Sequence, residues 1–212
     1  MVEAMLSTFS VSTTRSSYAV MEQKFKTSDG IDLRALHELC EREGEEVAYR
    51  KGDQMEREGD PARWFGFVTK GCFKYINHGI SDGKAHTTWF SFEGEFVGDY
   101  PAFLYGHSAQ TTIEAMMPSR VLRLNSERLN QFFCQSIDYM QLRAVIGEHI
   151  LSQYKGRYHD LHCTTPRERY DLLMQRCPGI VEFLDLQDIA SFLNVHPNTV
   201  SKIRRDITFG GK

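Results

Sequence analysis

Residues 184–206 read LDLQDIASFLNVHPNTVSKIRRD, and their spacing predicts two short helices joined by a sharp turn. Asp185 is placed to cap a helix whose inner face is Leu186, Ile189, Ala190 and Leu193, apolar residues at helical spacing. Asn194 stands where the chain must reverse, and Asn accepts the left-handed backbone region at lower cost than most side chains. Pro197 then opens a second helix, since its fixed φ suits the first helical position, and Val200 and Ile203 form its buried side. Ala190 is small enough to let the two helices cross closely. Together these are the marks of a helix-turn-helix.

The second helix turns Asn198, Thr199, Ser201, Lys202, Arg204 and Arg205 to solvent. Between His196 and Lys212 four Lys or Arg face one acid, Asp206, a local +3 in a chain of net charge −3. An acidic chain is no general binder of polyanions, so any nucleic-acid contact must be this patch. Asn198 and Lys202, one turn apart, suit base edges in a major groove. Thr199, Ser201, Arg204 and Arg205 suit phosphates, with Pro197 setting the start of the helix. These seven residues form the candidate nucleic-acid surface; the plainer alternative is a solvated face in an unrelated bundle.

Working back toward the N-terminus, Thr165, Pro166 and Glu168 form a capping box with proline at the first helical position. A helix from there reaches about Arg176, Pro178-Gly179 ends it, and Val181-Glu182-Phe183-Leu184 reads as a short extended run. Ser136 can cap a long helix to about Cys163, and Asn125 or Ser126 a shorter one through Phe133. On the long helix, Leu142, Val145, Ile146, His149, Ile150, Gln153, Tyr154, Tyr158 and Leu161 recur at steps of three and four. Some 25 residues would span about 37 Å, longer than most helices of a compact domain. A long helix with one apolar seam suits pairing with its own copy; the alternative packs the stripe on its own sheet.

Between about 45 and 125 the pattern changes to brief runs, VAY, WFGFV, CFKYI, TTWF and VLRL, separated by turn signals such as Gly52-Asp53, Lys70-Gly71 and Asp82-Gly83. Many short strands so spaced predict a sandwich or barrel closed on itself. A helix with Leu33, Leu36, Leu39 and Cys40, stopped at Gly44, precedes them. Residues 1–30 read as a loose polar arm. With 41% hydrophobic and 25% charged residues in 212, the composition is that of a soluble globular chain. No apolar run approaches the roughly 20 residues that cross a bilayer, and the N-terminus lacks the pattern of a secretory signal. Cys40, Cys72, Cys134, Cys163 and Cys177 have neither metal-finger nor redox spacing, so free thiols in a reducing cytoplasm are expected.

In this order the elements resemble the Crp–Fnr family of transcriptional regulators over about residues 30–207. The stretch ERYDLLMQRCPGIVEFLDLQDIASFLNVHPNTVSKIRRDI is similar to the helix-turn-helix end of Bacteroidetes-type members, and KGDQMEREGDPARWFGFVTKGCFKYI to the opening of the family's cyclic-nucleotide-binding-type β-roll. The resemblance implies an α+β fold: a double-stranded β-roll of the jelly-roll or cupin kind, a long dimerisation helix and a C-terminal helix-turn-helix domain. The corresponding segments are an arm over 1–30, an effector domain over 31–135, the helix over 136–163 and the DNA-binding domain over 164–212. It implies a homodimer reading a near-palindromic site in double-stranded DNA, with RNA polymerase a further partner for an activator, and no membrane.

By the same resemblance, Gly94 to Thr111 corresponds to the cassette that holds a cyclic nucleotide, its phosphate on backbone donors and an Arg and its ribose on a Glu. The implied pocket is Phe96, Val97, Gly98, Asp99, Tyr100, Ala109 and Gln110, but its ligand groups are altered. Asp99 stands at the Glu position, Pro101 removes a backbone donor, and Ala109 replaces the Arg. A phosphate would lack its cation and meet Asp99, so cyclic AMP is not expected. His107 could supply a conditional charge.

An iron–sulfur cluster of the family's kind would need clustered cysteines in the N-terminal arm, and none precedes Cys40. A haem would need an axial ligand, for which His149, His159 and His162 are candidates; helix-surface histidines are the simpler reading. A cupin metalloenzyme would need a His-x-His set, whereas His78 and His86 stand eight apart, so neither a metal ligand nor a catalytic residue is expected. The rival is a β-roll small-molecule-binding module or cupin-like enzyme with a vestigial DNA-binding domain, because the tail Ile207 to Lys212 is too short for a hairpin wing after the recognition helix.

Overall fold

The computed structural model describes residues 32–176 and 183–210. The arm over 1–30, Cys177, the Pro178-Gly179 stop and the first half of the Val181–Leu184 run lie outside the described residues. Helix α1 (Arg34–Glu43) buries Leu36, Leu39 and Cys40 and stops at Gly44, where a Cβ would stand 2.3 Å from the Cys40 carbonyl oxygen. Eight strands follow: β1 (Glu45–Tyr49), β2 (Gln54–Glu56), β3 (Trp64–Lys70), β4 (Cys72–His78), β5 (Ala85–Phe92), β6 (Phe96–Gly98), β7 (Thr112–Ala115) and β8 (Ser119–Asn125). A single turn of helix, α2 (Ala102–Tyr105), lies between β6 and β7.

The strands form two antiparallel sheets in the orders β1-β8-β3-β6 and β2-β7-β4-β5. Val68, Phe73, Val97, Ile113 and Val121 fill the space between them. Gly71 turns β3 into β4 at φ 86, where a Cβ would also strike Ser119. The predicted runs fall in β1, β3, β4, β5 and β8. The three- and four-residue strands β2, β6 and β7 were not foreseen, because they are too short for a period of two to register.

Helix α3 (Ser126–Phe133) is capped by Asn125, whose side chain accepts the Arg128 N–H at 3.0 Å. Ser136 caps the 27-residue α4 (Ile137–Cys163) by accepting from the Tyr139 N–H. Before α5 (Pro166–Arg176), the Thr165 N–H donates to the Glu168 carboxylate at 2.7 Å, and the Glu168 N–H returns to the Thr165 hydroxyl at 3.3 Å. Helices α6 (Leu186–Phe192) and α7 (Pro197–Phe209) complete the chain. Phe183 and Leu184 form a turn and bend rather than an extended run, which sets Leu184 into the core beside α6.

The α4 stripe divides. Leu142, Ile146 and Ile150 pack inward with the α1–α3 core, Ile146 only 8% exposed. Met140, Val145, Leu151, Tyr154 and Tyr158 are exposed. One seam was read where the helix carries two apolar arcs, because a repeat stepped at three and four drifts around a straight helix of 3.6 residues per turn.

The C-terminal helices dock on the sheet containing β4 and β5. Phe192 lies 5.0 Å from Phe90, and Phe92, Cys72 and Met116 join Ile189, Leu193 and Val200 in one apolar cluster. Lys74 pairs with Asp188 at 3.1 Å, the Thr87 hydroxyl donates to the same carboxylate at 3.0 Å, and the Thr87 N–H donates to the Ser191 hydroxyl at 2.8 Å. From α4, the Arg157 guanidinium lies 3.8 Å above the Phe192 ring and donates to the Phe192 carbonyl. The buried Arg169 of α5 donates to the carbonyls of Leu193, Thr164 and Asp160.

Candidate functional site

The helix pair is built as its residues predict. Asn194 adopts φ 52 between α6 and α7, and Val200 and Ile203 are buried. Asp185 has the extended backbone of a cap but makes no side-chain cap bond. His196 caps α7 instead, its Nδ1 accepting the Asn198 N–H at 3.2 Å, a role the sequence reading missed. Asn198, Ser201, Lys202 and Arg205 are exposed, and Pro197 and Thr199 half-buried. Arg204 is a correction: it is half-buried, and its Nε and Nη2 are buried with no hydrogen-bond partner among the described residues. Four residues after Val200, it rises from the edge of the buried face.

A second site lies between α4 and the β-roll, a cavity of about 1020 Å³. Tyr75 and Asn77 of β4 and Thr88 and Trp89 of β5 form one wall. Met140, Arg143, Gly147, Ile150, Leu151 and Tyr154 of α4 form the other, and Asp99, Tyr100, Leu104 and Tyr105 close the end. Burial pushes the hydroxyl pKa of Tyr75, Tyr100 and Tyr154 upward, so these rings are neutral polar groups in an apolar setting.

Of the predicted pocket residues, Asp99, Tyr100 and Gln110 line the cavity. Phe96, Val97, Gly98 and Ala109 do not. Phe96 stacks on Phe65 at 5.3 Å, Val97 fills the space between the sheets, and Ala109 is buried in the α1–α3 core. Gly98 donates its N–H to the Tyr75 hydroxyl. Strand alternation explains part of this, since neighbours in β6 point to opposite faces.

Asp99 accepts the Gln110 N–H at 2.5 Å and the Thr111 N–H as well. Burial raises its carboxyl pKa, and these two hydrogen bonds oppose the rise. Arg143, which the sequence reading missed, brings its guanidinium 5.7 Å from the centre of the Tyr105 ring and bonds the Tyr100 hydroxyl. The signal was present: Met140, Arg143 and Gly147 recur at helical spacing on the flank of the stripe that was read, on the side of its Tyr154.

The histidines lie apart. His107 is exposed beside Tyr105, His149 meets Gln153 at 2.8 Å, His159 stands beside Asp160, and His162 packs on Tyr158. His78 pairs with Glu58 at 2.8 Å, while His86 is exposed. Among the described residues no group of three or more His, Cys, Asp or Glu could hold a metal ion, and no helix is long and apolar enough to cross a membrane.

Residues 46–136 match the cyclic nucleotide-binding domain family. Among solved structures the chain is similar to FixK2 from Bradyrhizobium japonicum, at 22% identity and a TM-score of 0.68, covering 79% of this chain and 86% of that one. It is also similar to the c-di-GMP responsive global regulator CLP of Xanthomonas campestris, at 16% identity and a TM-score of 0.61 over 85% and 93% of the two chains. A third is TTHB099, a transcriptional regulator of the CRP family from Thermus thermophilus, at 18% identity and a TM-score of 0.60 over 78% and 85%. No curated protein matches the chain. The β-roll, long helix and helix-turn-helix implied by the resemblance are the fold observed.

Proposed function

We propose that this chain is a Crp–Fnr-type transcriptional regulator that binds double-stranded DNA as a homodimer, and whose cavity does not take cyclic AMP. The observation that carries the reading is α7. Its Asn198, Ser201, Lys202 and Arg205 are exposed, while α6 is held from behind by Lys74, Thr87 and Phe90, and Arg169 holds the Leu193 carbonyl beside the turn. That is the geometry a helix needs to enter a major groove.

Two copies pair through α4. Leu142, Ile146 and Ile150 hold the helix on its own roll, while the exposed Met140, Leu151, Tyr154 and Tyr158 form an apolar arc, continuous with the α4 wall of the cavity, that suits a second copy. His149, Gln153 and Leu161 flank the two arcs. Against cyclic AMP stands Asp99, which already takes two backbone N–H donors beside the altered cassette, with Ala109 buried where an arginine would be needed. RNA polymerase is a partner if the protein activates. The site carries no catalytic assignment, and the protein works in the cytoplasm.

Coupling between cavity and DNA surface runs through the β4–β5 ribbon. Tyr75 and Trp89 are register partners on the cavity side, while Lys74 and Phe90 are partners on the side that holds α6. A ligand that shifts the ribbon shifts the seat of α6, provided it binds the two arrangements unequally. Native mass spectrometry and selection from a random duplex library test the reading. A dimer enriching an inverted repeat is expected; a monomer, or no enrichment, contradicts it.

A further inference from the structure

The cavity's charges are arranged for an anion at α4 rather than at the cassette. Asp99 places a carboxylate where the cassette's backbone N–H groups converge, filling the Gln110 and Thr111 donors from within the chain. A ligand phosphate there would compete with an internal group and meet its charge. On the opposite wall Arg143 is the one cation of the lining, and among the described residues no carboxylate pairs with it. Its neighbours are the Tyr100 hydroxyl and the Tyr105 ring. Around it the walls are aromatic, with Trp89 and Tyr154 at 6.3 Å between ring centres. Gly147, one turn along α4 from Arg143, leaves open space where a side chain would stand.

We infer that the cavity binds a small aromatic carboxylic acid, its carboxylate on Arg143 and Tyr100 and its ring among the tyrosines and Trp89. A guanidinium is planar and matches a carboxylate through two parallel hydrogen bonds, which a single cation can satisfy without a backbone nest. Aromatic faces add stacking with the ring. The inference rests on the reading of this cavity as the effector site of a DNA-binding regulator, and it names the chemistry of the effector.

The test is calorimetric titration of the full-length protein with 3-phenylpropionate and 2-naphthoate, each beside its neutral amide, and with cyclic AMP. At least one acid is expected to bind with a Kd below about 1 mM, the affinity of a small fragment. Its amide and the Arg143→Met variant should each bind about ten- to a hundredfold more weakly, the worth of a charge-assisted hydrogen bond. Gly147→Leu should abolish binding by filling the space while strengthening the helix, with the native mass and melting temperature of wild type retained, so that the loss is neither of fold nor of pairing. Cyclic AMP should give no heat.

Acids and amides binding alike, an unaffected Arg143→Met variant, or no acid binding at all would each overturn the inference. Duplex selection on the same preparation separates this from failure of the regulator reading. DNA binding without acid binding removes the ligand class alone, whereas absent DNA binding removes the regulator.

Discussion

Replacing Phe192 with Ala removes the ring at the centre of the contact between the helix-turn-helix and the β-roll. The ring is 5% exposed, lies 5.0 Å from Phe90 and carries the Arg157 guanidinium 3.8 Å from its centre. Truncating a phenylalanine so buried costs about 3–5 kcal/mol, a figure that includes the cavity left behind. The lost cation–π contact with the half-buried Arg157 contributes up to about 1 kcal/mol of it. For a chain of this size each kcal/mol moves the melting temperature by about 2–4 °C, so a loss of about 4 kcal/mol predicts a fall of roughly 8–16 °C. Phe192→Leu keeps most of the apolar volume and should cost only about 1 kcal/mol. Scanning calorimetry reads both, and the wild type should melt in a single transition because the Phe192 cluster spans both parts. A Phe192→Ala protein melting within about 2 °C of wild type would refute the claim that this contact unites the chain.

Three further substitutions probe the frame. Arg169→Ala leaves the Leu193, Thr164 and Asp160 carbonyls without their shared donor and should cost about 3 kcal/mol, read as a lower urea midpoint at an unchanged slope. At Asn194, φ 52 predicts that Gly is tolerated and that Val costs about 1–2 kcal/mol, measured by thermal shift. Glu56 is buried, and desolvation raises its carboxyl pKa even though it accepts the Arg63 and Trp64 N–H groups. A raised carboxyl pKa means the native state holds its proton more tightly than the unfolded chain. Its favourable contribution is therefore lost as pH rises from 4.5 through the native value. Glu56→Gln keeps an acceptor for both N–H groups without the charge, so its melting temperature should gain on wild type between acid and neutral pH. A gain that shrinks toward neutral pH would contradict the sign.

How far the sequence discloses this molecule depends on the length over which a pattern repeats. The helix-turn-helix was legible because every position is dictated locally: Asn194 by its backbone angle, Pro197 by its missing N–H, Val200 and Ile203 by periodicity. The capping box at Thr165 and the caps at Asn125 and Ser136 were legible for the same reason. What escaped was set by tertiary contact. Phe192 looks like any helix residue until β5 covers it, and Arg204 looks solvated until its edge of α7 is buried. The two arcs of α4 separate only once the β-roll chooses one. Arg143 was hidden because an arginine on a long helix ordinarily faces water, and only the cavity wall opposite gives it a different surrounding.

The central claim is that α7 reads DNA, and the salt dependence of binding tests it most directly. Affinity of the selected duplex, read by fluorescence anisotropy across salt concentrations, should fall steeply for wild type as counterions compete for the phosphates. Arg205→Ala should weaken binding evenly across sequences and reduce the salt slope by about 1. Lys202→Ala should instead relax sequence preference, by about 1–3 kcal/mol at the base pair it faces. Affinity, slope and preference unchanged in both variants would mean that DNA, if bound, is held by some other surface.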